Sequence, residues 1–140
     1  MYDGLTISTP IWWAIYIGPQ QQKQPDGGGP GCMLYPLIKK CDTQPRVTIR
    51  NITLKNIRST NGVLPPGIIR CNETNPCSDI KFENVYMTGW FTALGLGYIT
   101  EYAVGSSHNV YPDPGLTSVS MATPTNLDLF SEFVLNYFKN

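Results

Sequence analysis

The chain has 140 residues, enough for one domain with its own core. Ten acidic residues balance ten basic ones and charged residues make up only 14%, so nothing marks the chain for nucleic acid or an anionic membrane surface. Its most apolar run, Ile11 to Ile17, is far shorter than the roughly 20 residues of a membrane span, and the first residues carry no basic n-region followed by an apolar signal segment. Thirteen Gly and twelve Pro among many Thr, Asn and Ile favour an all-β chain with frequent turns.

In chain order, Ile11 to Ile17 reads as the first strand. Ile11, Trp13, Ile15 and Ile17 would share one face, and Trp12, Ala14 and Tyr16 the other. Aromatic faces stack on sugar rings and glutamines bond sugar hydroxyls, so Trp12, Tyr16 and the following Gln20 are candidate polysaccharide contacts. The alternative is structural: Trp12 or Trp13 packs under the glycine-rich loop or the C-terminal tail. That loop spans 18–45 and includes Gly27-Gly28-Gly29-Pro30-Gly31.

The cysteines form two close pairs, Cys32 with Cys41 and Cys71 with Cys77, alongside two glycosylation sequons at Asn51 and Asn72. Together they suggest two disulfides and a secretory route, the alternative being reduced thiols and chance tripeptides. No Cys-x-x-Cys spacing exists and the single His108 is remote from both pairs, which argues against zinc.

Ile52-Thr53-Leu54-Lys55-Asn56-Ile57 is echoed 28 residues later by Ile80-Lys81-Phe82-Glu83-Asn84-Val85. This suggests a solenoid of stacked coils, although two similar strands of an antiparallel sandwich would give the same echo. In a solenoid the inward row would be Ile52, Leu54 and Asn56, then Ile80, Phe82 and Asn84. Asn56 would lie about 4.8 Å from Asn84 in an asparagine ladder at a corner. A second slip in the alternation suggests that 47–49 and 52–54 are successive strands of one coil. Residues 126–138 read as a helix, N-capped by Asn126, that covers the last coil.

Gln44 to Ile57, Ile69-Arg70-Cys71 and Asn75 to Val85, with their short cysteine loop, resemble late coils of glycoside hydrolase family 28, the polygalacturonase family. The likeness covers roughly residues 5 to 90 and implies a right-handed parallel β-helix, with coils over 1–92 and a tail and capping helix over 93–140. It implies inverting hydrolysis of pectin-type galacturonan, with two carboxyl groups roughly 6.5–9.5 Å apart. Family members supply these from Asn-Thr-Asp and Asp-Asp motifs, with Gly-His-Gly and Arg-Ile-Lys completing the cleft. None of the four occurs here, so no catalytic residue carries over.

Other chemistry is weakly signalled. Asp79 and Glu83 would sit about 13 Å apart on one strand, Glu101 and Asp113 are expected outside the coils, and His108 in a surface loop. No metal or cofactor is implied. The expected protein is the C-terminal part of a secreted, monomeric polygalacturonase-like enzyme, with the catalytic motifs and leader upstream. Leu5, Ile7 and the Ile11 row would then lie at the open end of the stack. The alternative is a non-catalytic β-helix that binds polysaccharide or serves as a surface structural protein.

Overall fold

The computed structural model describes residues 1–18 and 43–117. Among them the chain is all-β apart from one helical turn, and each strand pairs with its sheet neighbours in parallel. One sheet contains β1 (Tyr2–Asp3) and β2 (Thr6–Ser8), both laid against β4 (Arg50–Gly62), then β6 (Cys77–Gly89) and β8 (Ala103–Tyr111). The other has the order β3 (Ile15–Ile17), β5 (Gly67–Arg70) and β7 (Ile99–Glu101). The chain therefore visits the two sheets alternately and lays each new strand beside the previous visit. An antiparallel sandwich is ruled out for these strands.

The 28-residue echo is a true structural register: Ile52 pairs with Ile80, Leu54 with Phe82 and Ile57 with Val85. Like residues stack because each repeat contributes the same position to the neighbouring strand. Leu54, Ile57, Ile80, Phe82, Val85 and Met87 are buried from this sheet, and Ile15, Ile17, Ile69 and Tyr98 meet them from the opposite side. Phe82 and Tyr98 pack edge to face with ring centroids 5.7 Å apart, a geometry that favours an aromatic pair beyond simple area burial.

The asparagine ladder exists, but outside the core. Asn84 Nδ2 donates to Asn56 Oδ1 at 3.0 Å, Asn109 Nδ2 to Asn84 Oδ1 at 2.7 Å, and Asn56 Nδ2 to Asp3 Oδ1 at 2.8 Å. All three asparagines are exposed and have left-handed backbones, with φ between 51° and 53°. Asn tolerates that conformation better than other side-chain-bearing residues. The left-handed residue swings its own side chain outward and returns the next residue, Ile57 or Val85, to the core. Gly4, φ 74°, makes the equivalent break between β1 and β2.

Other expectations need correction. The strand expected over 11–17 is only β3, Ile15–Ile17, and two short strands precede it; residues 11–14 lie outside it, and Ile11 is 75% exposed. Residues 47–49 form no separate strand. Val47 is exposed, and the slip in alternation arises at Asn51, whose φ of 59° sits at the start of β4. The parallel stack also continues past residue 92: His108 lies within β8, opposite Glu83, and Glu101 ends β7. Polar Gly105 to Asn109 form strand because β6 offers them an edge to pair with, not because of intrinsic preference. The helix expected at 126–138, the Cys32–Cys41 pair, Gln20 and most of the glycine-rich loop lie outside the described residues.

Candidate functional site

Strands β3, β5 and β7 place their alternate side chains on the core and on the outer surface. Ile15 and Ile17 of β3 and Ile69 of β5 face inward and are buried. The outward row contains Tyr16, then Ile68 and Ile99 in register with it, and one pair further along Arg70 opposite Glu101. Tyr16 is 40% exposed, whereas Ile68 and Ile99 are fully buried. The face is thus open at the Tyr16 edge and covered over its middle.

Arg70 Nε donates to Glu101 Oε2 at 2.7 Å, with both side chains largely buried. Arg70 also acts on Tyr16. Partial burial raises the Tyr16 phenol above the ordinary tyrosine value, and the positive charge of Arg70 offsets part of that rise. The register agrees, since Tyr16 pairs with Ile68 and Arg70 is the next outward residue of β5.

Local packing explains why Arg70 is held there. Cys71 follows it at once and is bonded to Cys77, with Cα atoms 5.7 Å apart. The Cys71 amide donates to the Glu101 carbonyl at 3.0 Å, and the Cys77 amide to the Tyr102 carbonyl at 3.1 Å. The short loop is thus clamped to the next strand at both ends. At the other edge, Gly18 lies so close to β5 that an added Cβ would fall 2.0 Å from the Arg70 carbonyl oxygen. Only a residue without a side chain lets β3 end against Arg70.

Of the residues expected to touch sugar, Trp12 and Tyr16 are both surface-accessible, Trp12 at 48% exposure. Trp12 is not on the same strand as Tyr16; it meets Trp13 edge-on, ring centroids 6.4 Å apart. Trp13 is half-buried and packs with Leu96 and Phe91, on and just after the helical turn α1 (Trp90–Ala93). Sequence reasoning missed Arg70 and Glu101 as a pair. They are 31 residues apart, and only the β5–β7 register brings them together.

This arrangement offers binding chemistry: aromatic surface, a fixed guanidinium and its partner carboxylate. Within the outward rows of β3, β5 and β7 the single carboxylate is Glu101, already ion-paired, whereas inverting glycoside hydrolysis uses two carboxyl groups. Asp79 and Glu83 are engaged elsewhere, with Lys81 at 2.9 Å and Lys55 at 3.4 Å. Among the described residues no three His, Cys, Asp or Glu side chains converge as metal ligands. The sequons differ: Asn51 is exposed, while Asn72 is half-buried and its Nδ2 donates to Thr43 O and Oγ1 at 3.1 and 3.0 Å. No protein-family model matches the chain, and no curated protein or solved structure is significantly similar to it.

Proposed function

We propose that this chain forms terminal coils of a right-handed parallel β-helix of the polygalacturonase type, in a secreted protein that acts on pectin-type polysaccharide. Its own contribution is binding: Tyr16 and Trp12 offer stacking surfaces, and Arg70 is a positive group near Tyr16. Catalytic carboxylates belong, on this reading, to coils that precede it. The observation that carries the proposal is the 28-residue register of β4 on β6, continued by the side-chain ladder from Asp3 through Asn109. Such one-dimensional stacking is the signature of a solenoid.

A second observation supports preceding coils. The β1–β3 end of the stack carries an apolar hollow of about 370 Å³, lined by Tyr2, Leu5, Ile7, Ile15, Ile52 and Leu54 among others. Leu5 remains exposed there. A further coil would bury these residues as β4 buries those of β6.

The rival reading is a non-catalytic β-helix, and it is favoured by the ion pairing of Glu101, the one carboxylate in the described outward rows of β3, β5 and β7. Affinity electrophoresis in polygalacturonate, with a reducing-sugar assay, tests both. Retardation that weakens in Tyr16→Ala, without sugar release, is expected. Absence of any retardation would remove the polysaccharide reading, and sugar release by this chain would overturn its binding-only role.

A further inference from the structure

Beyond the asparagine corner the large sheet presents a different outer face. Thr6, Arg58, Tyr86 and Tyr111 lie in one row across β2, β4, β6 and β8. Their sequence neighbours Ile57 and Val85 are buried, and Val110 packs against the same core, so this row points outward. Tyr86 and Tyr111 are 42% and 46% exposed, with ring centroids 6.4 Å apart and planes tilted by 34°. Arg58 is exposed beside them.

The charge pattern of this face is one-sided. Lys55, Lys81 and Arg70 each have an acidic partner. Arg58 has no ion pair among the described residues, and the outward positions around it, Thr60, Tyr86, Thr88 and Tyr111, include no carboxylate. The face therefore combines two adjacent aromatic plates with an uncompensated guanidinium and flanking hydroxyl groups. Aromatic plates take the apolar faces of sugar rings, and arginine takes carboxylate. A nucleic acid fits less well, because its affinity comes from several phosphate neutralisations at once, and this row has a single cation.

We infer that Arg58, Tyr86 and Tyr111 form a second glycan-binding surface, which takes an acidic polysaccharide lying along the stack of coils. It rests on the polysaccharide reading above but uses a different face from Tyr16 and Arg70. A chain bound there would be held without occupying the Tyr16 surface, so long polymers would engage both faces.

The test measures binding of the full chain to polygalacturonate, to fully methyl-esterified pectin and to single-stranded DNA. The double variant Tyr86→Ala/Tyr111→Ala is expected to bind polygalacturonate about five- to tenfold more weakly, the scale of lost aromatic stacking. The double Phe variant should stay within about twofold, since the plates remain. Arg58→Ala should weaken polygalacturonate binding and leave the esterified polymer unchanged, which separates charge recognition from any loss of fold. Tyr16→Ala runs alongside. Wild-type affinity in the Tyr86/Tyr111 and Arg58 variants, with loss only in Tyr16→Ala, overturns the second surface and spares the first. Binding of no glycan by the wild type overturns both, and tighter binding of DNA than of polygalacturonate overturns the glycan assignment of this face.

Discussion

The side-chain amide of Asn84 donates to the side-chain oxygen of Asn56, 28 residues earlier, at 3.0 Å. Asn84 also accepts from Asn109 at 2.7 Å, so it is bonded on both sides. Its φ of 52° adds a second requirement, since most side chains are strained in the left-handed region. Asn84→Ala is expected to lose about 3 kcal/mol, from two modest hydrogen bonds and the backbone cost. Asn84→Gly should lose about 1–2 kcal/mol, because glycine keeps the backbone free and loses only the ladder. Urea denaturation of the two variants checks the order; equal losses would mean that the backbone conformation contributes nothing.

The Cys71–Cys77 bond closes a loop of sequence separation 6, and both cysteines are buried. Short loops gain less from cross-linking than long ones, and the chain-entropy estimate here is about 2 kcal/mol. Replacing both residues by Ala should therefore lower stability by about that amount and loosen the Arg70–Glu101 pair next to it. Thermal melts of this double Ala variant and the wild type, both without reductant, report the first effect. If the two melt alike, the loop is held by the Cys71 and Cys77 backbone bonds alone.

The repeat and its ladder are written in the sequence to different degrees. The echo of Ile52 in Ile80 is legible because two parallel strands in register repeat their side chains at constant offset, and the Asn56–Asn84 bond follows from the same offset. Its direction was not legible. Alternation alone places Asn56 beside Leu54 on the inside, and only its positive φ turns it out. The pattern over 11–17 overstates β3 for a related reason: Ile11 and Trp12 have strand-forming side chains, but among the described residues no strand pairs with 11–14. His108 reads as a loop residue because Gly105 to Asn109 lack apolar alternation, although they pair with β6. Residue type alone marks Tyr16 and Trp12 as candidate contacts, whereas Arg70 comes near Tyr16 only through the β3–β5 register.

Tyr98 makes stability sensitive to alkali. Its side chain is buried against Phe82, and burial pushes the phenol far above its ordinary value of 10.0. The folded protein thus holds this proton more tightly than the unfolded chain does. The associated stability is complete below about pH 10, the unfolded value, and declines as pH rises above it. Tyr16, also raised, contributes in the same direction and more weakly because it is part-exposed. Denaturation midpoints between pH 9 and 11.5 should fall in the wild type, and Tyr98→Phe should flatten that fall. A Phe variant with the wild-type pH dependence would assign the alkaline loss to other groups.

The two sequons should respond differently to a glycan. At Asn51 the side chain is exposed at a corner of β4, and a sugar there meets solvent. At Asn72 the nitrogen that would carry the sugar already donates to both oxygens of Thr43, while Oδ1 accepts from the Thr74 amide and hydroxyl at 3.0 and 2.8 Å. Substituting that nitrogen leaves it one hydrogen for two acceptors and forces bulk into a half-buried position. Because Asn51 has a φ of 59°, glycine is the substitution that leaves its backbone unstrained: Asn51→Gly is expected to change stability by less than about 0.5 kcal/mol, and Asn72→Gln to lower it by about 1–2 kcal/mol through loss of the Thr43 tether. Material expressed through a secretory pathway should carry its sugar at Asn51, as peptide mapping of the folded product would show. A folded product glycosylated at Asn72, with an unchanged melt, would mean that the Asn72–Thr43 contacts contribute no stability.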